Sequence, residues 1–413
     1  MNKYKPVAKV SYPAISVIIP MYNAEKFIGT CLESLLAQKF TDFEVIVVND
    51  CSTDSSYAIV ESYREKFDGR LTLAHMKENS GAAALPRNKG LNLSRGEYVY
   101  FLDSDDILIN TALAEMYTLA KNYDADVVCC ERHWEFGADG KIYLQTHQTG
   151  KLIDTPTFQS EDLGERLNEL LQKDIWGGPL YKLTRRNFLV DNEIVFPNLR
   201  VCEDYFWTLN LFFHAKRFLR VPNAIYIEIK SESSLSRSNR TPQQRLSLWL
   251  NSAILGLKGL DNMLGELNFF RDNPQHRHAV INFFLNKMLA FGFQMGITLP
   301  PFEYYETIKQ DFSSRLGEQD VLVAALCTLV NTLQRANILN IQQFNKVIAQ
   351  VQEQFNKFNQ FAEQAQKRIV ELESVIQAQQ KNNVANIQQF QKFALQAQAR
   401  IAELEAKVNR LKK

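Results

Sequence analysis

The chain has 413 residues, of which 46% are apolar and 23% charged, and a formal net charge of +1. That length allows two or three domains with a sizeable core, and the near-neutral balance gives no electrostatic pull toward nucleic acid or an anionic membrane. The apolar runs are short strands such as Val45 to Val48, far below the roughly 20 residues of a membrane span.

The N-terminal MNKYKPVAKVSYPAIS lacks the apolar core of a signal peptide. The six cysteines, Cys31, Cys51, Cys129, Cys130, Cys202 and Cys327, form no CxxC pattern. Reduced thiols and a cytoplasmic location are therefore expected.

The first stretch alternates strand and helix signals. Ile15–Pro20, Phe43–Val48, Leu71–His75, Tyr98–Leu102 and Val127–Cys130 read as strands. Ala24–Gln38, Ser55–Lys66, Gly81–Leu93 and Thr111–Tyr123 carry helical spacing between them. Strands apolar on both faces and separated by helices predict a doubly wound α/β fold, with a mostly parallel sheet covered on both sides. Ligands of such a sheet sit at the carboxyl ends of its strands.

Further along, Asp174–Lys182 (DIWGGPLYK) reads as a Gly/Pro-punctuated loop, and Arg200–Phe213 as a helix opened by acidic residues. Residues 241–335 are mostly helical and rich in Leu and Phe. An aromatic helical core is the favoured reading, with peripheral membrane contact as the alternative.

From about residue 338 the composition changes: Gly, Pro, Asp and Cys disappear and Gln is abundant. Ile348, Val351, Phe355, Phe358, Ala362, Ala365, Ile369, Leu372 and Ile376 recur alternately three and four apart, which is a heptad seam. Asn383 and Ile387 take the same heptad position only four residues apart, a stutter that locally unwinds a supercoil. FNQFAEQAQKRIVELE (358–373) is repeated as FQKFALQAQARIAELE (390–405). A helix with one apolar stripe does not bury it alone, so a long C-terminal coiled-coil helix and a homo-oligomer are expected, with dimer, trimer and tetramer all open. The expected division is 1–235, 236–337 and 338–413.

Polar clusters fall where the strands end. They are Pro20–Glu25, Asn49–Asp54, Lys77–Gly81 and Asp103–Asp106. Asp103, Asp105 and Asp106 crowd three carboxylates into four positions, and like charges so close disfavour one another's ionisation. Either a divalent cation with oxygen ligands, Mn²⁺ or Mg²⁺, offsets this, or Asp106 caps the next helix and the others are solvated. The lack of Cys/His ligand spacing disfavours zinc, and His276-x-His278 reads as a surface pair. Asp50 suits hydrogen bonds from a base or ribose, or a side-chain-stabilised turn. Without a Walker loop or GxGxxG, phosphate neutralisation falls to a metal or to basic side chains, with Arg87 as candidate. Glu203-Asp204 by themselves complement a helix dipole. Trp176 and Tyr181 either stack on a sugar ring or pack in the core.

In order, Pro20-Met21-Tyr22-Asn23-Ala24-Glu25, Val47-Val48-Asn49-Asp50-Cys51-Ser52-Thr53-Asp54, Glu78-Asn79-Ser80-Gly81, Pro86-Arg87-Asn88-Lys89-Gly90 and Phe101–Asp106 resemble the GT-A glycosyltransferases of family 2. The resemblance spans about residues 13–235 and departs at Asn49, where Asp is common, and at Pro86, often Ala. It implies an inverting transferase that moves a sugar from a nucleotide-diphosphate donor, a UDP-sugar by expectation, with a divalent metal. It further implies that Pro20, Tyr22 and Glu25 line the nucleotide pocket, Asp50 contacts the base, Asp103 lies near the ribose and Asp105 binds the metal. Glu203-Asp204 match the family's acidic pair, Asp204 being the general base.

The implied setting is bacterial surface-glycan assembly in the cytoplasm or at the inner membrane face, with a glycan, glycolipid or protein acceptor. Two other readings stand beside it. One is a catalytically inactive sugar- or nucleotide-binding module on a coiled-coil scaffold. The other is a nucleotidyltransferase, disfavoured because no Gly-rich Arg/Lys loop follows the first strand.

Overall fold

The computed structural model describes residues 12–137, 139–146, 153–173, 178–229 and 240–294. These all belong to one compact unit, 1–331. The heptad segment 338–413 and Trp176 lie outside the described residues.

Strands β1 (Ile15–Met21) and β2 (Phe43–Asn49) are buried along their whole length. Successive side chains feed opposite faces, as the strand period of two requires. Ile15, Val17 and Ile19 join Val45 and Val47 in one core; Ile18, Ile46 and Val48 join the other. Each core needs a helical cover. Helices α1 (Ile28–Leu36) and α2 (Ser56–Ser62) take the first face, and α3 (Ala84–Leu93) the second.

Strand β3 (Leu71–His75) is the half-exposed edge beyond β2. Strand β4 (Tyr98–Phe101) pairs with β1 on its other side, and a short β5 (Ile107–Leu108) follows. Helix α4 (Ala112–Asn122) leads into β6 (Val127–Phe136), β7 (Ile142–Thr146) and β8 (Thr157–Phe158). Helix α5 (Leu163–Lys173), β9 (Lys182–Arg185), α6 (Arg186–Asp191), α7 (Glu203–His214) and β10 (Phe218–Ile229) complete the sheet region.

The strand order is β3-β2-β1-β4-β9-β6-β10-β5. Pairing is parallel from β3 to β4 and again between β6 and β10. Strand β9 runs antiparallel between β4 and β6. This is the expected α/β architecture, with an antiparallel insertion that DIWGGPLYK conceals: four residues, KLTR, directly after Pro179-Leu180-Tyr181 carry too little pattern to announce a strand.

Helix starts differ from the periodicity in a consistent direction. Helix α1 begins at Ile28 rather than Ala24, and α3 at Ala84 rather than Gly81. Asn23 and Gly81 both have left-handed backbones, φ 47° and 78°, which helical residues do not adopt. The turn chemistry of the loops overrides the helical spacing there.

Helix α7 is apolar nearly all round, which marks a buried helix. One side packs on the sheet through Trp207, whose ring meets Phe101 edge-on and stacks on Phe196 at 4.9 Å. The other side meets α8 (Pro242–Glu266), α9 (Asn268–Asp272) and α10 (Pro274–Gln294). Phe206 and Phe284 lie 4.2 Å apart, and Phe270 and Phe284 are fully buried. Helix α8 opens with a capping box of Thr241 and Gln244 and Pro242 at its first position. No helix among the described residues is long and apolar enough to cross a membrane.

Register aligns the strand ends. Met21 pairs with Asn49, and Asn49 with His75, while Phe101 pairs with Ile18. The four polar clusters therefore emerge along one edge of the sheet.

Helix α3 lies very close to β1. A Cβ at Gly90 would fall 2.3 Å from Ile18 Cγ2. Gly90→Ala is expected to overpack this contact and destabilise the fold by about 1–3 kcal/mol, read as a lowered midpoint in thermal unfolding; an unchanged midpoint would show that Ile18 moves aside freely.

Candidate functional site

The loop after β1 and the loop after β2 are stitched together. Thr53 N–H donates to Asn23 Oδ1 at 2.8 Å, and Ala24 N–H to Ser56 Oγ at 2.7 Å. Ser55 N–H donates to Glu25 Oε2, and Glu25 N–H to Asp54 Oδ2, both at 3.0 Å. Glu25 thus braces the start of α2 while sitting at the rim. Pro20 is buried in β1, and Tyr22 is exposed beside it.

Asp50 is buried, 3% exposed, and accepts from Ser80 N–H at 2.9 and 3.1 Å and from the Ser80 hydroxyl at 2.8 Å. The Asn79 amide donates to the Asp50 carbonyl at 2.8 Å. These bonds are not a local turn: Asp50 ties the 79–81 segment to the end of β2 across 30 positions of sequence. Cys51, directly after it, is left-handed at φ 60°.

The acidic loop after β4 brings carboxylate oxygens of Asp103, Asp105 and Asp106 within 4.8 Å of one another. Asp106 does not cap α4: Thr111 is the N-cap residue and makes no side-chain cap bond, and Leu113 N–H in the first turn donates to Gln38 Oε1 at 3.1 Å. It is buried instead, accepting from the Tyr226 hydroxyl and, at 2.7 Å, from Ile229 N–H. Burial first, then the charges of Asp105 and Asp103, raise its pKa well above the usual carboxylate range. Asp103, by contrast, meets a cation: Arg87 Nη2 lies 2.8 Å from its Oδ1.

Arg87 reaches this point from α3. Its other terminal nitrogen, Nη1, is 3.2 Å from Glu203 Oε1 at the start of α7. The guanidinium is 6% exposed and lies over the Phe196 ring. Burial pulls its pKa down, but Asp103, Glu203 and Asp204 more than offset this, and the net shift is upward. Arg87 therefore faces carboxylates in this arrangement, whereas the sequence suggested phosphate.

Glu203 and Asp204 stand where the chain turns sharply. Cys202, immediately before them, is left-handed at φ 65°. Non-glycine residues held this way cost of order 1–3 kcal/mol and cluster at functional sites; Asn23, Cys51 and Cys202 all lie on this rim. Burial, then Asp204, push the Glu203 carboxyl up to about 7, against the lowering effect of Arg87. Asp204 is raised too, by burial first, with Arg87 opposing. Asp204 Oδ1 accepts from Tyr205 N–H at 2.8 Å. A Cβ at Gly178 would fall 3.3 Å from Asp204 Oδ2, so the residue there must be small.

Two side chains that sequence reasoning missed support this corner. Lys182, fully buried, donates from Nζ to the Gly178 carbonyl at 2.9 Å. Tyr226 holds Asp106. Lys182 was visible as the last residue of DIWGGPLYK, but a lysine in a strand gives no signal of burial. Tyr181 packs in the core, its ring 5.3 Å from Tyr226 and 5.0 Å from His133. That is the core alternative for Tyr181; Trp176 is outside the described residues.

Among the described residues the acidic trio is the one group close enough to share an ion. The donor set fits a hard divalent cation, which takes carboxylate oxygens and shares its shell with phosphate and water. Asp105 and the second oxygen of Asp103 are the groups that would hold such an ion, since Asp106 is held by Tyr226 and Ile229.

Residues 16–193 match the family described as Glycosyl transferase family 2. An uncharacterized glycosyltransferase of Escherichia coli, YibD, is 33% identical over 234 residues, covering 56% of this chain and 66% of its own. A poly(ribitol-phosphate) beta-N-acetylglucosaminyltransferase of Staphylococcus aureus, TarS, is 29% identical over 318 residues, covering 75% of this chain and 51% of its own. The chain thus spans between half and two thirds of the length of these curated relatives. The crystal structure of S. aureus TarS residues 1–349 in complex with UDP-GlcNAc superposes with a TM-score of 0.55 at 26% identity, over 77% of this chain and 88% of that one.

The raised carboxyls have a consequence for stability. Below about pH 4.5, the ordinary value for glutamate, Glu203 is protonated in folded and unfolded chains alike. Between there and about 7 the unfolded chain releases a proton that the folded site retains, so folding weakens as pH rises. Wild type is expected to lose on the order of 3 kcal/mol across that window relative to Glu203→Gln. Denaturant titrations of both chains at pH 4.5 and 7.5 measure the difference; parallel behaviour would mean that Glu203 is not held protonated.

Proposed function

We propose that this chain, which carries a glycosyl transferase family 2 domain over residues 16–193, is an inverting glycosyltransferase that moves a sugar from a UDP-linked donor to an acceptor hydroxyl of a bacterial surface glycan. The observation that carries the proposal is the meeting, on one sheet edge, of the acidic loop 103–106 with the raised Glu203-Asp204 pair through Arg87. The relative's action on poly(ribitol-phosphate) and the UDP-GlcNAc bound by its crystal structure make N-acetylglucosamine the first donor to test.

The proposal divides the labour among these residues. The stitched loops 22–25 and 52–56, with Asp50 and Ser80, form a rigid wall for the nucleotide. Asp105 and Asp103 would hold Mn²⁺ or Mg²⁺. What such a cation supplies, when bound, is Lewis-acid stabilisation of charge on the departing diphosphate. Asp204 accepts the proton of the attacking hydroxyl as it approaches the anomeric carbon from the face opposite the leaving group. Its raised pKa makes it a stronger base than a solvent-exposed aspartate, at the expense of a smaller ionised fraction at low pH. An inert binding module has no use for such a buried, raised acidic pair, which disfavours that reading.

Asp204→Asn is expected to lower kcat by about 10²–10⁴-fold with little change in donor KM. Asp105→Ala is expected to weaken UDP binding only when manganese is present. A donor screen by release of nucleoside diphosphate, followed by calorimetry, provides both readouts. Near-wild-type transfer in either variant would remove that residue from its role.

Assembly is a separate part of the proposal. The heptad segment 338–413 is the oligomerisation element, so a chain ending at residue 335 is expected to give the monomer mass in light scattering while the full chain gives a multiple of it. Equal subunit numbers in the two would assign assembly elsewhere.

A further inference from the structure

The site holds two arginines in opposite situations. Arg87 is buried and bonded to two carboxylates from different parts of the chain, Asp103 at 2.8 Å and Glu203 at 3.2 Å. Arg200 is exposed, and its guanidinium lies beside Gly81, 3.5 Å from where a Cβ would be. Gly81 follows Ser80, the partner of Asp50, and Arg200 stands three residues before Glu203. Arg200 therefore stands beside the 79–81 segment that Asp50 anchors, in the stretch of chain that leads into the raised pair.

We propose that the two arginines divide the work. Arg87 is a positioning residue that fixes Glu203, and through it the start of α7, against Asp103. Arg200 is the side chain that contacts the donor diphosphate. The inference rests on the proposed transferase reading of the site and assigns its cationic residues within it.

Three features favour this division. A guanidinium presents its donors in a fixed planar fork, and each terminal nitrogen of Arg87 already donates to a carboxylate, the two carboxylates lying on different parts of the chain. Its Nε is buried without a hydrogen-bond partner, and the guanidinium carbon lies 5.3 Å from the centre of the Phe196 ring. Releasing Arg87 to a phosphate would take from Glu203, a buried carboxyl, the charge that most favours its ionised form. Arg200 makes no such commitment, and its exposed guanidinium can form a bidentate contact with phosphate oxygens.

The test compares Arg87→Met, Arg87→Lys, Arg200→Gln, Glu203→Gln and the double variant Arg87→Met/Glu203→Gln in the full chain. Calorimetry with UDP and with uridine, both with manganese, isolates the contribution of the diphosphate as the ratio of the two affinities. Arg200→Gln is expected to lower that ratio at least tenfold, and Arg87→Met to change it less than threefold. In transfer assays Arg87→Met is expected to lower kcat at least thirtyfold with donor KM within threefold, and Arg87→Lys to restore part of that loss. Adding Arg87→Met to Glu203→Gln should cost less than a further threefold.

Thermal unfolding provides an arm that needs no substrate. Glu203→Gln should recover at least half of the Tm lost in Arg87→Met, because it removes a buried carboxyl that has lost its cationic partner; where Arg87→Met alone does not fold, a double variant that does fold is the same result. A tenfold fall in the UDP-to-uridine ratio for Arg87→Met, an unchanged ratio for Arg200→Gln, or an unfolding loss that Glu203→Gln leaves in place would each overturn the assignment. Wild-type protein without affinity for UDP would instead strike the proposed donor, and the unfolding arm would still decide the role of Arg87.

Discussion

One guanidinium sits between carboxylates supplied by distant parts of the chain. Asp103, Asp105 and Asp106 emerge after β4, Glu203 and Asp204 open α7, and Arg87 lies between the two groups with almost no solvent. Removing one partner of such a buried pair typically costs about 3–5 kcal/mol, because the remaining charge is left uncompensated. The site accordingly reduces the repulsion of its crowded acids in two ways. Arg87 neutralises part of it directly, and the burial of Asp106, Glu203 and Asp204 shifts them toward their neutral forms.

The rest of the structure holds that arrangement in place. Helix α3 must lie close to β1 for Arg87 to reach across, and Gly90 permits the approach. Helix α7 is clamped between the sheet and α8–α10 by Trp207 on one side and Phe206 on the other, so packing sets the path of the helix while Arg87 holds the Glu203 side chain at its start. Left-handed backbone at Asn23, Cys51 and Cys202 turns the chain sharply at three points of the rim. Strain there is tolerable because each turn is flanked by bonds from another loop or by a buried helix.

Much of this was legible in the sequence. Two-faced apolar strands predicted the sheet, and polar clusters at their ends predicted which edge carries the site. What the sequence could not express were the partners of each acid. Asp106 reads as a helix cap until the fold brings Tyr226 beside it from 120 residues away. Arg87 reads as a phosphate ligand because its counter-charges, Asp103 and Glu203, are 16 and 116 positions distant. Strand β9 is too short to carry a period, and its lysine contradicts its burial. Tyr181 was balanced between ring stacking and core until β10 supplied its neighbour Tyr226. Local pattern identified the elements, while long-range charge pairing, invisible to periodicity, organised the site.

The central claim is that this acidic edge, balanced internally by Arg87, receives a nucleotide diphosphate together with a divalent cation. A crystal structure grown with manganese and UDP tests it most directly. The account predicts the cation on Asp105, the diphosphate beside it along the strand ends, and Arg87 still joining Asp103 to Glu203. Nucleotide bound away from that edge, with no metal density at Asp105, would contradict it.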